Sequence, residues 1–114
     1  MLESYRITDL EQVRILADPL KLRILRTLAE GPKTTRDVAR ELGENLTRLY
    51  RHMDALRESG LIELISERRK RGTVERTFQA IAQRFEVEQS LFASDDGNEA
   101  IRALFRAGEA EMMA

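Results

Sequence analysis

The sequence has no cysteine and no tryptophan, only two prolines among 114 residues, a single histidine and few aromatic side chains. Without cysteine there can be no disulfide, no thiolate metal site and no thiol chemistry. A single histidine, His52, provides no pair for a metal and no companion for an acid–base relay. No apolar run approaches the length of a membrane span, and Met1-Leu2-Glu3 begins no signal peptide, so a cytoplasmic protein is expected. Nucleophile–base pairs and glycine-rich phosphate loops are also missing, and Asp95-Asp96 falls in an expected loop. The reading is therefore non-enzymatic, with neither metal nor other cofactor.

Apolar residues make up 42% and charged residues 34%, a balance that supports one folded domain with a real core. The net charge of −1 conceals an uneven distribution. Residues 18–80 hold 14 Lys/Arg against 10 Asp/Glu, whereas residues 81–114 hold 3 against 7. A basic middle with an acidic end suits a nucleic-acid-binding module followed by a partner-binding helix. Of the 19 basic residues 16 are arginine, whose planar fork matches phosphate and guanine.

The most informative stretch runs from Thr34 to Gly60. Thr34 and Asp37 have the spacing of a capping box, and Val38, Ala39 and Leu42 share one helical face. Gly43 can close that helix in a left-handed conformation. Asn45 then caps a second helix, 45–59, whose apolar face is Leu49, Met53 and Leu56, and Gly60 ends it. Two capped helices joined by a short glycine turn form a helix-turn-helix.

Upstream, Thr8 and Glu11 predict a capped helix over 8–17. Asp18 and Pro19 start another, with Leu20, Ile24, Leu25 and Leu28 facing the core, ending near Gly31-Pro32. Downstream, 61–65 and 73–78 read as strands around a basic loop at 66–72, a hairpin with a charged tip. Placed after a helix-turn-helix, this hairpin looks like a wing. Residues 81–93 read as helical or irregular and 94–98 as a turn or hinge. Asn98 is placed to cap a last helix carrying Ile101, Leu104, Phe105 and Met112. That helix stops close to the last residue, which leaves open that the chain is part of something longer.

The run Leu16-Ala17-Asp18-Pro19-Leu20-Lys21-Leu22-Arg23-Ile24-Leu25 resembles the opening helix of ArsR-type winged-helix transcription regulators. The resemblance continues through Leu28-Ala29-Glu30-Gly31-Pro32, the helix from Asp37 to Gly43, and Leu56-Arg57-Glu58-Ser59-Gly60-Leu61-Ile62, covering roughly residues 13–82. The segment from Arg71 to Phe78 and the stretch Ala80 to Phe85 look like the subgroup without metal sites. The resemblance implies a dimeric DNA-binding protein, usually a repressor. Helix 45–59 would be its recognition helix and 66–72 the tip of its wing. Family members that sense metals carry paired cysteines in the recognition helix or His and Asp ligands in the last helix. Neither set can be placed here, and the effector is unassigned.

The expected fold is mainly α with a small β-hairpin: a winged helix-turn-helix with flanking N- and C-terminal helices. Residues 1–82 would form the DNA-binding domain and 83–114 a C-terminal helical extension for dimerisation or linkage. Thr47, Arg48, Tyr50 and Arg51 point away from the apolar face of helix 45–59, toward a major groove that admits a helix. Arg48 and Arg51 are the main candidates for base or nearby phosphate contacts; a solvated helix face is the competing reading. Arg68, Arg69, Lys70 and Arg71 are expected on phosphates or in the minor groove, where contacts position without specifying. Arg36 is a further phosphate candidate, helped by the amides at its helix start. His52 is expected to be a partly buried structural residue. Leu10, Val13, Ile101, Leu104, Phe105 and Met112 are assigned to a homodimer interface, with packing against their own domain as the alternative. Two-fold pairing would set the recognition helices about 34 Å apart on double-stranded DNA. The rival function is a winged-helix module that binds protein in a larger assembly.

Overall fold

A computed structural model describes residues 1–113, with side chains described through Glu109. The elements in order are β1 (Leu2–Ile7), α1 (Leu10–Leu16), α2 (Pro19–Ala29), β2 (Lys33–Thr34), α3 (Thr35–Leu42) and α4 (Leu46–Glu58). They continue with β3 (Ile62–Lys70), β4 (Thr73–Ala80), β5 (Ala82–Val87), a 3₁₀ helix (Gln89–Ala93) and α5 (Asp95–Met113).

The central helices start and stop where their caps dictate. The Asp18 carboxylate accepts from the Leu20 and Lys21 amides, and Pro19 takes the first helical position. At α3, the Thr34 hydroxyl accepts from the Asp37 amide while the Asp37 carboxylate accepts from the Thr34 amide, a complete capping box. Gly43 then sits at φ +66°, and the Glu44 amide reaches back to the Ala39 carbonyl. At the end of α4 the cap is Ser59, with Gly60 beyond it at φ +82°. The Gly60 and Leu61 amides bond the Arg57 and Leu56 carbonyls, completing a Schellman motif.

One continuous core joins these helices. Leu20, Ile24, Leu25 and Leu28 of α2 meet Val38 of α3, Leu49, Met53 and Leu56 of α4, and Ile62, Phe78 and Ala80 of the hairpin. Burying each large aliphatic side chain is worth about 1.5–3 kcal/mol, so this apolar contact outweighs the exposed ion pairs, which are worth about 0–1 kcal/mol each.

Five strands form where a single hairpin was expected. β2, β4 and β3 make an antiparallel sheet in that order, and β1 pairs in parallel with β5, Leu2 opposite Ala82 and Ile7 opposite Val87. Residues 82–87 are thus a strand, with the 3₁₀ helix after them. The reason is a partner some 80 residues earlier, joined by backbone hydrogen bonds. Three boundaries also move. Asp9, not Thr8, caps α1, accepting from the Glu11 amide. The last helix begins at Asp95, inside the expected hinge. Its start is fixed by Ser94, whose hydroxyl accepts from the Gly97 amide and whose carbonyl accepts from the Asn98 amide, so Asn98 lies within the helix. The hairpin, finally, is longer than expected, because β3 runs on to Lys70.

The N- and C-terminal flanks pack together. α5 lies against α1 and α2, burying Ala100, Ile101 and Ala107 among Val13, Leu16 and Leu22. Residues beyond 82 are therefore tied to the first thirty by both β5 and α5.

Candidate nucleic-acid interface

The recognition-helix candidate, α4, is held by Leu49, Met53 and Leu56, all fully buried. Its first turn is closed by the Asn45 side chain, which accepts from the Thr47 amide at 2.8 Å and the Arg48 amide at 3.3 Å. With the apolar side inward, Thr47, Arg48, Tyr50 and Arg51 are all exposed, as their spacing predicts. Tyr50 is 53% exposed, an uncommon position for an aromatic ring with no covering partner. Arg48 leans back onto Glu44 at 3.4 Å, and Glu44 also faces Arg23 at 3.8 Å. Arg51 makes no ion pair among the described residues.

The turn between α3 and α4 is braced from below. Arg23 of α2 donates to the Leu42 carbonyl at 3.3 Å, covering an end of α3 that no helical amide satisfies. Lys33 reaches both Glu30 and Glu41, at 3.0 and 2.8 Å, tying the start of the helix-turn-helix to its first helix.

Arg36 is exposed on the first turn of α3. The amides there are less open to an anion than expected, because the capping box consumes one donor and places the Asp37 carboxylate at the helix start. The Thr34 backbone amide, then the Thr34 side chain, hold that carboxyl below its ordinary value. Any phosphate held at this point would rest on the Arg36 side chain.

The wing differs most from its expected form. Its tip is only Arg71-Gly72, with φ of +35° and +83°, the two positive values that a tight two-residue hairpin turn needs. Arg68, Arg69 and Lys70 lie in β3, opposite Glu75, Val74 and Thr73. They therefore alternate: Arg68 shares a face with Lys70, and Arg69 points to the other. Lys70 pairs with Glu75 at 3.4 Å and Arg76 with Glu67 at 3.0 Å. Arg68, Arg69 and Arg71 make no ion pair among the described residues. A one-residue bulge between Leu64 and Ser66 bends the strand before its basic end and turns Ile65 outward.

Between α4 and the wing lies an open groove of about 350 Å³. Arg36, Tyr50 and Asp54 line one side, and Lys70, Glu75 and Arg76 the other. Asp54, Glu75 and Arg76 were not singled out from the sequence. Asp54 could have been, since it lies four residues after Tyr50 and so on the same helical face. Arg76 required the strand register, which the polar sequence conceals.

His52 is buried, 8% exposed, with Nδ1 4.0 Å from an Asp18 oxygen and unbonded. It is structural, as expected, and stands behind the exposed face. The apolar residues assigned to an interface divide. Val13 and Ile101 are buried inside the chain's own core, Leu10 and Leu104 are half-buried, and Phe105 is 64% exposed. The Met112 side chain lies outside the described residues. Among the described residues no cluster of His, Asp or Glu could hold a metal ion, and no helix is long and apolar enough to cross a membrane.

Residues 16–65, from the end of α1 into β3, match a helix-turn-helix domain family. Among solved structures, the chain is similar to a possible transcriptional regulatory protein (fragment 1-100) from Mycobacterium bovis. The two are 23% identical with a TM-score of 0.47, over 88% of this chain and 94% of that one. No curated protein matches the chain.

Proposed function

We propose that the chain is a transcriptional regulator that binds double-stranded DNA in a sequence-specific manner, as an ArsR-like repressor acting as a homodimer on a palindromic site. The observation that carries this reading is the division of α4. Leu49, Met53 and Leu56 fix the helix, while Thr47, Arg48, Tyr50 and Arg51 are exposed, with Tyr50 lining the groove beside the wing. The helix-turn-helix match supports it over residues 16–65. In this reading Arg51 and Arg48 reach base edges, with Arg48 exchanging Glu44 for its target, and Thr47 and Tyr50 contact the adjoining backbone. Arg36, Arg68, Arg69 and Arg71 meet phosphates or the minor groove, with Lys70 joining them.

The test is selection of duplexes from a random pool, then competition of the selected duplex against a scrambled one. Each bidentate arginine–guanine contact contributes about 1–3 kcal/mol of discrimination, so Arg48→Ala/Arg51→Ala should bind both duplexes alike. Replacing Arg68, Arg69 and Arg71 with Ala should instead weaken both duplexes together. It should also flatten the salt dependence by up to about three units of log K against log salt per chain. If the double variant keeps the wild-type preference, α4 is not the reading element.

One observation favours a protein-binding module as the second reading. Asp54 and Glu75 place carboxylates in the groove beside the wing, where they would repel phosphates and receive a basic peptide. Retention on DNA that disappears at moderate salt, with a stable partner in pull-down, would mark that outcome.

A further inference from the structure

Among the described residues Gln12 is one of four buried polar or charged side chains, 6% exposed, and it joins two parts of the molecule that the sequence separates widely. Its Nε2 donates to the Ser59 carbonyl at 2.8 Å, across 47 residues. Its Oε1 accepts from the Tyr5 hydroxyl at 3.3 Å. Ser59 is the C-cap of α4, and its own hydroxyl bonds the Leu56 carbonyl at 2.8 Å. On the other side the Tyr5 ring packs edge-on against Phe85 of β5, centroids 6.1 Å apart. A line of contacts therefore runs from β5 through β1 and α1 to the last turn of the helix assigned to DNA.

The position of this bond gives it consequence. Carbonyls in the final turn of a helix have no partner within the helix, so each needs one from outside. Here the partner for Ser59 comes from α1, which is itself packed against α5. Apolar contacts at Leu49, Met53 and Leu56 fix the depth of α4 but tolerate sliding and rotation, since dispersion is not directional. A hydrogen bond at 2.8 Å from a buried amide fixes direction as well. The residue at the next position, Gly60, lies beside Gln12, where an added Cβ would meet Gln12 Nε2 at 4.0 Å, an ordinary contact.

We propose that Gln12 is a positioning residue for the recognition helix, setting the angle of α4 against the flanking layer of β1, β5 and α1 and coupling movements of that layer to DNA recognition. The binding arm of the test rests on the DNA reading above; a second arm does not. Gln12→Leu keeps approximate volume and removes both bonds. Gln12→Glu keeps the acceptor for Tyr5 but sets a carboxylate against the Ser59 carbonyl. Tyr5→Phe removes only the outer bond.

In the first arm, discrimination between a selected and a scrambled duplex is measured at fixed salt. Thermal unfolding confirms that each variant is folded. Gln12→Leu and Gln12→Glu should each lose discrimination about tenfold, and Tyr5→Phe about threefold in the same direction. In the second arm, backbone amide shifts are recorded without DNA. Displacement of the Thr47–Arg51 amides, about 12–18 Å along α4 from Ser59, shows that the helix has moved as a unit. A residue of purely local structural importance would shift only the amides around Ser59–Leu61. Folded Gln12 variants with unmoved amides at 47–51 overturn the proposal. If the amides move and the wild type shows no duplex preference, the positioning role stands and the DNA reading fails. If the amides move and the wild-type preference survives in the variants, the coupling to recognition is overturned.

Discussion

His52 combines burial with a polar atom that has no partner, and the charges around it decide its protonation. Burial pushes the imidazole below its ordinary value. Lys21 on α2 and Arg48 and Arg51 on its own helix push the same way, against the opposing pull of Asp18. The folded chain therefore holds fewer protons here than the unfolded chain, and stability falls as pH drops through about 6.5. The carboxylates behave differently. Burial pushes Asp18 up, but the hydrogen bond and charge of Lys21 and the amides it caps outweigh this and leave it below its ordinary value; Asp37 is also lowered. Their contributions are kept until the pH approaches about 4. The window from pH 7 to 5.5 thus isolates the only histidine. Wild type should show a lower unfolding midpoint at pH 5.5 than at pH 7, and His52→Leu should show a much smaller difference. An undiminished pH dependence in the variant would place its origin elsewhere.

At the scale of elements, what could be read from the sequence was what local chemistry decides. Asp18, Thr34 and Asn45 announce helix starts because a short polar side chain satisfies amides one turn on, and Gly43 and Gly60 announce ends because they accept positive φ. The four exposed residues of α4 were legible for the same reason, since helical spacing alone separates them from Leu49, Met53 and Leu56. β1 and β5 were not legible. Parallel pairing depends on a partner far along the chain, and Leu2-Glu3-Ser4-Tyr5-Arg6-Ile7 alternates only over its last three residues, too short a run to reveal it. The wing was half legible: both strand faces beyond the bulge are polar, so its basic residues resemble a loop. Residues 95–98 were misread as a hinge because Gly97 looks like a helix breaker. Gly97 is there for space. An added Cβ would fall 1.7 Å from the Leu91 carbonyl oxygen, whereas at Gly108 the nearest atoms are side chains at 3.6 and 3.9 Å. Gly97→Ala should therefore destabilise the fold by about 1–3 kcal/mol through overpacking of backbone. Gly108→Ala should stabilise α5 by up to about 1 kcal/mol. Denaturant midpoints of the two variants should move in opposite directions; a neutral Gly97→Ala would mean that the 3₁₀ helix yields freely.

For the whole molecule the open matter is how two copies would meet, since reading a palindrome needs two recognition helices at a fixed separation of about 34 Å. Of the six residues assigned to an interface, Val13 and Ile101 are already covered within the chain. What remains outward is Phe105 at 64% exposure, with Leu104 half-buried beside it and Phe92 at 43% across a mostly apolar cavity. Full burial of a phenylalanine is worth about 1.5–3 kcal/mol, so covering the exposed part of Phe105 with a second copy gains about 1–2 kcal/mol, and two-fold symmetry counts that gain twice. Phe105→Glu should reverse it, since each copy would bury a carboxylate without a partner. In sedimentation the wild type should run at twice the 13.1 kDa chain mass, and Phe105→Glu at the chain mass with its unfolding midpoint unchanged. Its affinity for a full palindrome should fall toward that for a half-site, because the second half-site no longer benefits from being bound by a linked copy. A Phe105→Glu protein that still sediments as a dimer would move the interface to another face, and the free edges of β1 and β5 would be the next place to test.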